Sequence, residues 1–523
     1  MPKGTFIAKI TGSKYLFYLL LAINIGYLFL TRFYPSGDGP VHLYNTNLIK
    51  ELISGNASIG QFFVLNHFPI PNWTSHFILL VFRTFLPAWL AEKALLIIYI
   101  TGMAFSFRYL IRQLNPENIS LSIFIFPFLH TFLFHSGFYN FSLSFILLFF
   151  TIGFYLKHRH HDSPFLYGIL FVLLSISYFT NLLIFGFIGL TLGVYILGFR
   201  LTNYRKNKKL KTELKTTGKQ LSFLFLAALP SLILLSFFFK QAPFLESDQT
   251  YPFSLLLKWI DDVRPLIVYN YNGEAELTTH FFHLLLILLV LSFTARNKQN
   301  SPGLKVELLA VPLVVTILLY FITPTGAGAG MMSERYCTIL YMFALTWIIA
   351  RTVPHQLNGW IVLIVIGLHF FTLQYKLNES LISLGKNAES VYGVQDYVEE
   401  NSIVLPVELA GSWVEHHFSN YLGVDKPMVI LENYEAHVGW FPVKWNLEEL
   451  PKVLAGSASS IPGLKWKNNP ESKLSKQIDY ILLYGNTSTI SDSRWEILRE
   501  VLASDYEQCY QSNDGFAILF KKK

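Results

Sequence analysis

Long apolar runs separated by short polar segments occupy most of the chain before residue 376. Each run has about the length that an α-helix needs to cross the roughly 30 Å hydrocarbon layer of a bilayer. The pattern therefore predicts a multi-pass α-helical membrane protein with about 11 transmembrane helices. The predicted spans lie near residues 15–33, 90–111, 119–134, 141–156, 164–179, 181–199, 219–239, 280–295, 305–322, 336–350 and 357–375.

After residue 376 the apolar segments are short and alternate with polar ones, as in an ordinary soluble domain. Strand-like and helix-like segments follow one another, and Asn513–Gly515 has the residues of a tight hairpin turn. We expect a membrane domain over residues 1–375 and an α/β domain over residues 376–523. The predicted strands are 402–409, 427–432, 479–484 and a closing hairpin, and the predicted helices lie near 387–400, 412–421 and 491–504.

Basic residues concentrate in particular segments between the predicted spans, and residues 200–219 alone hold eight Lys and Arg. Such residues stay on the cytoplasmic side of a membrane. With eleven spans, these segments and the basic N-terminus (Lys3, Lys9, Lys14) all lie in the cytoplasm. The loops 34–89 and 240–279 and the α/β domain then lie outside. We expect a bacterial inner (plasma) membrane, with the first apolar run retained as a signal anchor.

One apolar segment, residues 74–86, is only 13 residues long and would reverse this orientation if it crossed the membrane. We interpret it as a helix that lies along the outer interface, with Trp73 and Trp89 as interfacial anchors.

Composition supports the membrane prediction and excludes another class of function. Hydrophobic residues make up 52% of the chain and charged residues only 14%, well below the roughly 25% of a soluble protein. From Lys376 onward there are 14 basic and 20 acidic residues, so the net charge of +7 comes from the membrane domain. The excess basic residues lie in the loops between the predicted spans, where they indicate the orientation of the chain in the membrane. No nucleic-acid partner is expected. The two cysteines lie in different domains, so no disulfide framework is expected.

The segment SGDGPVH (36–42) directly follows the first predicted span and carries the first candidate for chemistry. Asp38 at a membrane interface could act as a general base, because partial desolvation raises the pKa of a carboxylate. Together with His42 it could alternatively hold a divalent cation. The simplest interpretation of Asp38 by itself is a cap on the helix that starts near His42.

Two further segments place polar residues at the outer ends of predicted spans. In HSGFYN (135–140), the side chains of His135, Tyr139 and Asn140 could line a polar site, although each is also compatible with an ordinary turn. In TGAGAGMMSERY (325–336), Arg335 could bind a phosphate or diphosphate. Alternatively, Glu334 and Arg335 form a pair that only marks the end of a span. The neighbouring Tyr336 and, in the interfacial helix, Trp73 and His76 complete the predicted substrate-binding set.

The α/β domain contains several acidic and aromatic residues and histidines whose spacing matches no metal motif, so surface positions are expected for them. They are Trp413, Glu415, His416, His417, Glu432, Glu435 and His437. We assign no metal ligand here. The chain contains no nucleotide-binding motif of the Walker A or GxGxxG type and no Asp-X-Asp triplet.

The order of these parts resembles the GT-C superfamily of polyprenyl-phosphate-dependent glycosyltransferases, which includes protein O-mannosyltransferases and the aminoarabinose transferase of lipid A. The features that carry the resemblance are the acid Asp38 just past the first span, a Pro-rich turn opening a juxtamembrane helix (PIPNW, 69–73), and the closing α/β domain. The resemblance covers most of the chain in layout and few positions in motif.

The resemblance implies that Asp38, with His42 beside it, activates or orients the acceptor, and that Arg335 lies near the donor phosphate. The implied partners are a polyprenyl-phosphate sugar donor, a lipid, glycan or protein acceptor, and membrane lipid. Many members carry a second acidic residue where this chain has HSGFYN (135–140). This departure motivates the alternative, a non-catalytic relative that binds or presents a glycolipid or an envelope assembly partner.

Overall fold

The computed structural model describes residues 14–160, 163–241, 248–294, 303–328, 330–351, 355–446 and 478–523. The predictions that involve Lys3 and Lys9 lie outside these residues. The described residues form two compact units that are interleaved along the chain. The first contains the described residues within Met1–Tyr27, Ile97–Phe134 and Asn140–Glu379, and the second contains those within Leu28–Leu96, His135–Tyr139 and Ser380–Lys523.

Apolar helices account for most of the described part of the first unit, as the hydrophobic pattern predicts. Seven helices of the described chain are long and apolar enough to cross a membrane, and four more are apolar but shorter. The fold is thus that of a multi-pass α-helical membrane protein, and the count of eleven spans stays a prediction. The α-helices of this part of the chain are Lys14–Leu28, Ala88–Leu114, Tyr139–His158, Pro164–Thr180, Leu182–Asn207, Leu210–Gln241, Tyr271–Thr294, Ala310–Ile322, Met332–Ala350 and His355–Lys376, with short helices at Phe253–Asp261 and Leu304–Glu307.

The predicted span at 119–134 differs from a regular α-helix. Residues Pro116–Leu129 form a 3-10 helix that contains Pro127, and a separate short helix follows at Phe132–His135. Proline lacks the backbone N–H that an α-helix would use, which favours this interruption. The helical geometry is also interrupted at Asn118, where the segment is kinked.

The C-terminal part of the second unit contains a five-stranded mixed sheet. The strands are β2 Ile403–Leu409, β3 Val429–Ile430, β5 Tyr480–Gly485, β6 Tyr506–Gln511 and β7 Ala517–Lys522, with helices at Ile382–Tyr392 and Glu496–Asp505 and a 3-10 helix at Trp413–Gly423. The strand order is β3-β2-β5-β7-β6, in which β2 runs parallel to β3 and β5 whereas β7 is antiparallel to β5 and β6. The predicted strands and the closing hairpin are confirmed, and Gly515 adopts the positive φ that its turn requires.

The first polar segment of the chain folds together with this sheet domain in the same unit. Its helices are Gly39–Ser54, Ala57–Phe62 and Thr74–Arg83, and its strand β1 (Phe63–Leu65) pairs with β4 (Val443–Trp445). The rings of Phe63 and Trp445 stack with their centroids 4.2 Å apart. The sequence pattern did not predict this pairing, because three-residue strands have no recognisable periodicity.

Helix Gly39–Ser54 is buried over its first eleven residues although several of them are polar. The C-terminal part of the unit satisfies these polar groups. The hydroxyl of Tyr44 donates to the carbonyl of Met428 at 2.8 Å, and the Asn47 amide donates to the carbonyl of Gly423 at 2.9 Å. Burial of a polar group costs free energy unless it has a hydrogen-bond partner. These hydrogen bonds therefore favour this one packing of the helix against the C-terminal part of the unit.

An ion pair between Arg83 and Asp425 also joins the two parts of this unit. The guanidinium Nη1 lies 2.6 Å from Oδ1 of Asp425, and only 7% of the Arg83 side chain is exposed. Asp425 also accepts a hydrogen bond from the hydroxyl of Tyr392 at 3.0 Å. We predict that Asp425→Ala destabilises the protein by about 3 kcal/mol, because it leaves a buried cation without its counter-charge.

Thermal unfolding in detergent measures this effect. The control is Glu399→Ala, which breaks the exposed Glu399–Lys521 pair and should leave the unfolding midpoint unchanged. Equal midpoints for both variants would contradict the prediction.

Candidate functional site

The loop that carries Asp38 is held by the turn at residues 135–139. The backbone N–H of Gly37 donates to the carbonyl of His135 at 2.9 Å, and that of Asp38 donates to the carbonyl of Ser136 at 3.0 Å. Gly137 adopts a φ of +83°, and a Cβ on it would lie 2.5 Å from the backbone nitrogen of Asp38. The close approach of the two segments therefore depends on a glycine at this position.

Asp38 occupies the N-cap position of helix Gly39–Ser54, but its side chain makes no capping hydrogen bond. The interpretation of Asp38 as a helix cap is therefore correct for its position and wrong for its carboxylate. Only 13% of the side chain is exposed.

The partner of the Asp38 carboxylate comes from the sheet domain. Nε2 of His417 lies 3.8 Å from Oδ1 of Asp38, and Nδ1 of the same ring lies 2.5 Å from Oε1 of Glu432. The ring of Tyr434 stacks on the His417 imidazole at 4.5 Å between centroids. His417 thus lies between two carboxylates, and the fully buried Ser419 donates to the second of them at 3.1 Å.

These surroundings change the protonation of both groups. Burial raises the pKa of Asp38 to about 6, with a further increase from Glu435, whereas His417, His42 and the hydroxyl of Tyr434 oppose the increase. Burial lowers the pKa of His417, but the charge and hydrogen bond of Glu432 outweigh it and raise the pKa to about 9. At neutral pH the site therefore contains an imidazolium beside a largely ionised aspartate of raised basicity.

A second cluster lies one helical turn from Asp38. Nδ1 of His42 lies 3.3 Å from Nε2 of His76 and 3.2 Å from Oε1 of Glu435, and Oε2 of Glu435 lies 3.5 Å from Nε2 of His76. All three side chains are buried. Against the effect of burial, Glu435 raises the pKa of His42, whereas burial lowers the pKa of His76. In the described part of the chain, these residues are the group of three with the geometry to hold a metal ion.

The predicted residues His135 and Tyr139 belong to a buried hydrogen-bond network. The hydroxyl of Tyr139 donates to Oε1 of Glu92 at 3.2 Å and is 2.8 Å from the hydroxyl of Ser36. The Tyr34 backbone N–H donates to Oε2 of Glu92 at 3.0 Å, and its hydroxyl lies 3.1 Å from Nε2 of His135. A buried acid thus interacts with the 135–139 turn, although the turn itself contains none.

The remaining predicted residues lie elsewhere. Trp73 is partly exposed at the start of helix Thr74–Arg83. Asn140 and the residues Glu334, Arg335 and Tyr336 belong to the first unit and are all buried. Nε of Arg335 donates to the carbonyl of Gly330 at 3.0 Å, and its guanidinium lies 5.5 Å from the centroid of the Phe141 ring. The roles predicted for these residues stay predictions.

The expectation that the acidic residues and histidines of the C-terminal domain lie on the surface is wrong for several of them. Glu415, Glu432 and Glu435 are buried, whereas His416 and His437 are accessible to solvent. The expectation failed because the residues that pair with Glu435 come from positions about 390 and 360 residues earlier in the chain. Glu92, in the helix Ala88–Leu114, was missed as well. A carboxylate near the end of an apolar helix is the signal that could have identified it.

The contact between Gly137 and the Asp38 loop yields a test. We predict that Gly137→Ala destabilises the protein by about 2–4 kcal/mol, because the methyl group adds overlap with the backbone to the strain of a positive φ. Gly439→Ala is the matched control, since its φ is +75° but nothing lies within 4 Å of a Cβ there. Thermal unfolding in detergent should show the larger loss for Gly137→Ala, and equal losses would contradict the contact.

Comparison with known proteins gives similarity in structure only. No protein-family model and no curated protein matches this sequence. The crystal structure of ArnT from Cupriavidus metallidurans in the apo state matches over 98% of both chains, with a TM-score of 0.56 and 12% identity. The structure of the same protein bound to undecaprenyl phosphate matches over the same shares, with a TM-score of 0.54 and 11% identity. The chain therefore has the fold of ArnT, which confirms the GT-C-like architecture of a helical membrane domain with a C-terminal domain built on a sheet.

Proposed function

We propose that this protein is a membrane glycosyltransferase that moves a sugar from a polyprenyl-phosphate donor to an acceptor on the extracytoplasmic face. The observation that carries the proposal is the carboxylate of Asp38, which makes no helix cap and lies largely buried beside the imidazole of His417. The fold shared with ArnT, one of whose structures contains undecaprenyl phosphate, supports a donor of this lipid class.

The proposed reaction is the displacement of a lipid phosphate at the anomeric carbon by a nucleophilic group of the acceptor. Asp38 accepts the proton of the acceptor, and its pKa near 6 makes it a stronger base than an ordinary aspartate while leaving it ionised at neutral pH. About 13% of its side-chain surface is exposed, and the acceptor is proposed to approach from that side.

His417 is proposed as a positioning residue that acts through Asp38. Its charge, stabilised by Glu432 at 2.5 Å, favours the ionised form of the aspartate and holds it on one side. The hydroxyl of Tyr434 donates a further hydrogen bond to this carboxylate.

The developing charge on the leaving phosphate requires a cation. We assign this role to Arg335, which is buried in the first turn of helix Met332–Ala350. Its Nε donates a hydrogen bond to the carbonyl of Gly330. Arginine suits a phosphate because its N–H groups match the phosphate oxygens in pairs. The orientation of the site towards the outside is proposed from the basic segment 200–219, which favours the cytoplasm.

Substitution of the proposed base tests the function. Asp38→Asn should reduce sugar transfer by about 10²–10⁴-fold, since the amide cannot accept the proton. Transfer is measured in membranes supplied with a panel of undecaprenyl-phosphate-linked sugars and their potential acceptors. Binding of undecaprenyl phosphate to the purified protein should be retained, because Asp38 acts on the acceptor.

The matched control is Asp396→Asn, an identical change at an exposed position of the same unit, which should transfer at the wild-type rate. Equal transfer by wild type and Asp38→Asn would exclude Asp38 as the base. Donor binding without transfer by the wild-type protein would favour the non-catalytic alternative.

The pH dependence of transfer tests the role of His417. In His417→Gln, the cation that lowers the pKa of Asp38 is absent, so this pKa rises. The base is active when ionised, and the acidic limb of kcat/KM should therefore move to higher pH by about one unit. His416→Gln is the control, because this neighbouring ring is half exposed and pairs with Glu408 instead. An acidic limb that stays in place in His417→Gln would contradict the proposed positioning role.

A further inference from the structure

Two histidines and a glutamate from three distant segments meet in the interior of the second unit. His42 comes from helix Gly39–Ser54, His76 from helix Thr74–Arg83, and Glu435 from the segment between β3 and β4. Their side chains are between 0% and 4% exposed. Ionisable groups are rarely buried to this extent without a partner that balances their charge.

The distances between the facing atoms are compatible with a metal site. Nδ1 of His42 lies 3.3 Å from Nε2 of His76 and 3.2 Å from Oε1 of Glu435, and Nε2 of His76 lies 3.5 Å from Oε2 of Glu435. One ligand atom from each residue lies within 4.8 Å of the other two. Ligands at 2.0–2.1 Å from a tetrahedral Zn²⁺ are about 3.3 Å apart, so small side-chain movements bring the three residues to that spacing.

The positions of protons on His42 also favour a cation at this point. Nε2 of its ring lies 3.0 Å from the carbonyl oxygen of Gly137, which can only accept a hydrogen bond. Nε2 must therefore carry a proton, and Nδ1 is the ring nitrogen that faces Oε1 of Glu435 at 3.2 Å. A positive charge is needed between these two atoms, and either the Nδ1 proton of a charged ring or a metal ion in its place supplies it.

The two oxygens of the Glu435 carboxylate face different groups. Oε2 accepts a hydrogen bond from the amide of Asn45 at 2.7 Å, and the carbonyl of that amide accepts one from Asn433 at 2.6 Å. Oε1 is buried and lies 3.2 Å from Nδ1 of His42. A metal ion bound to Oε1 and Nδ1 would replace the proton between these two atoms.

We propose that His42, His76 and Glu435 bind one Zn²⁺ ion through Nδ1, Nε2 and Oε1. Two imidazoles and one carboxylate form a borderline ligand set, which suits Zn²⁺ and other late divalent transition metals. Mg²⁺ and Ca²⁺ require mostly oxygen ligands and do not fit. The contacts from Gly137 to His42 and from Asn45 to Glu435 orient the ligands in the manner usual for protein zinc sites.

The ion would link the helix that begins beside Asp38 to the sheet domain, and three protein ligands leave at least one coordination position free. This proposal concerns binding and does not depend on the transferase activity. Its failure and that of the proposed function are therefore distinguishable.

Zinc content of the purified full-length protein tests the proposal. The protein in detergent is loaded with Zn²⁺, passed over a desalting column and analysed by mass spectrometry for metal. Wild type should retain one Zn²⁺ per chain, and Glu435→Gln and His42→Asn should lose it. His416→Asn, which changes a half-exposed histidine of the same domain, should retain it.

A second measurement covers the case in which a ligand variant fails to fold. Chelation of the wild-type protein should lower its thermal unfolding midpoint by about 3 °C, and Zn²⁺ but not Mg²⁺ should restore it. Less than 0.1 equivalent of Zn²⁺ in the loaded wild type, or full retention by Glu435→Gln, would overturn the proposal. Retention would place the ion elsewhere, for example at the histidines of segment 157–161.

Discussion

The backbone pairing of the Asp38 loop with the 135–139 turn is the constraint on which the rest of the site depends. Two N–H groups, those of Gly37 and Asp38, are satisfied by carbonyls of that turn, and the contact leaves no room for a side chain at Gly137. The carbonyl of Gly137 also receives the Nε2 proton of His42. One glycine turn therefore fixes both the start of the helix that carries the proposed base and the tautomer of a proposed metal ligand.

Burial of polar groups then determines the electrostatics of the unit. The helix that follows Asp38 is polar in composition, yet it is buried against the sheet domain and its amides and hydroxyls find their partners there. Desolvation raises the pKa of Asp38 while it strengthens the charge pair between His417 and Glu432. The sheet domain thus supplies charged and hydrogen-bonding groups that shift the pKa of Asp38, although no motif in its sequence indicated such a role.

The hydrophobic pattern was sufficient for the class of fold. Long apolar runs require helices in a membrane, because a bilayer offers no other partner for backbone groups, and the strands and hairpin of the C-terminal domain followed from alternation and turn residues. The exceptions have local causes. Pro127 interrupts the predicted helix around it, and the strands β1 and β4 are too short to show a period. The 135–140 segment contains no acidic residue, whereas the structure brings Glu92 to Tyr139 from another helix.

The sequence by itself determined that this chain is a multi-pass membrane protein with a C-terminal α/β domain, and that Asp38 directly follows its first apolar run. These properties follow from local periodicity and from residues close together in the chain. The tertiary structure alone decided which groups surround Asp38 and His42, because His417 and Glu435 lie almost 400 positions away and carry no motif. Which residues surround Asp38 and His42 depends on how the polar helix Gly39–Ser54 packs against segments that are distant in the chain.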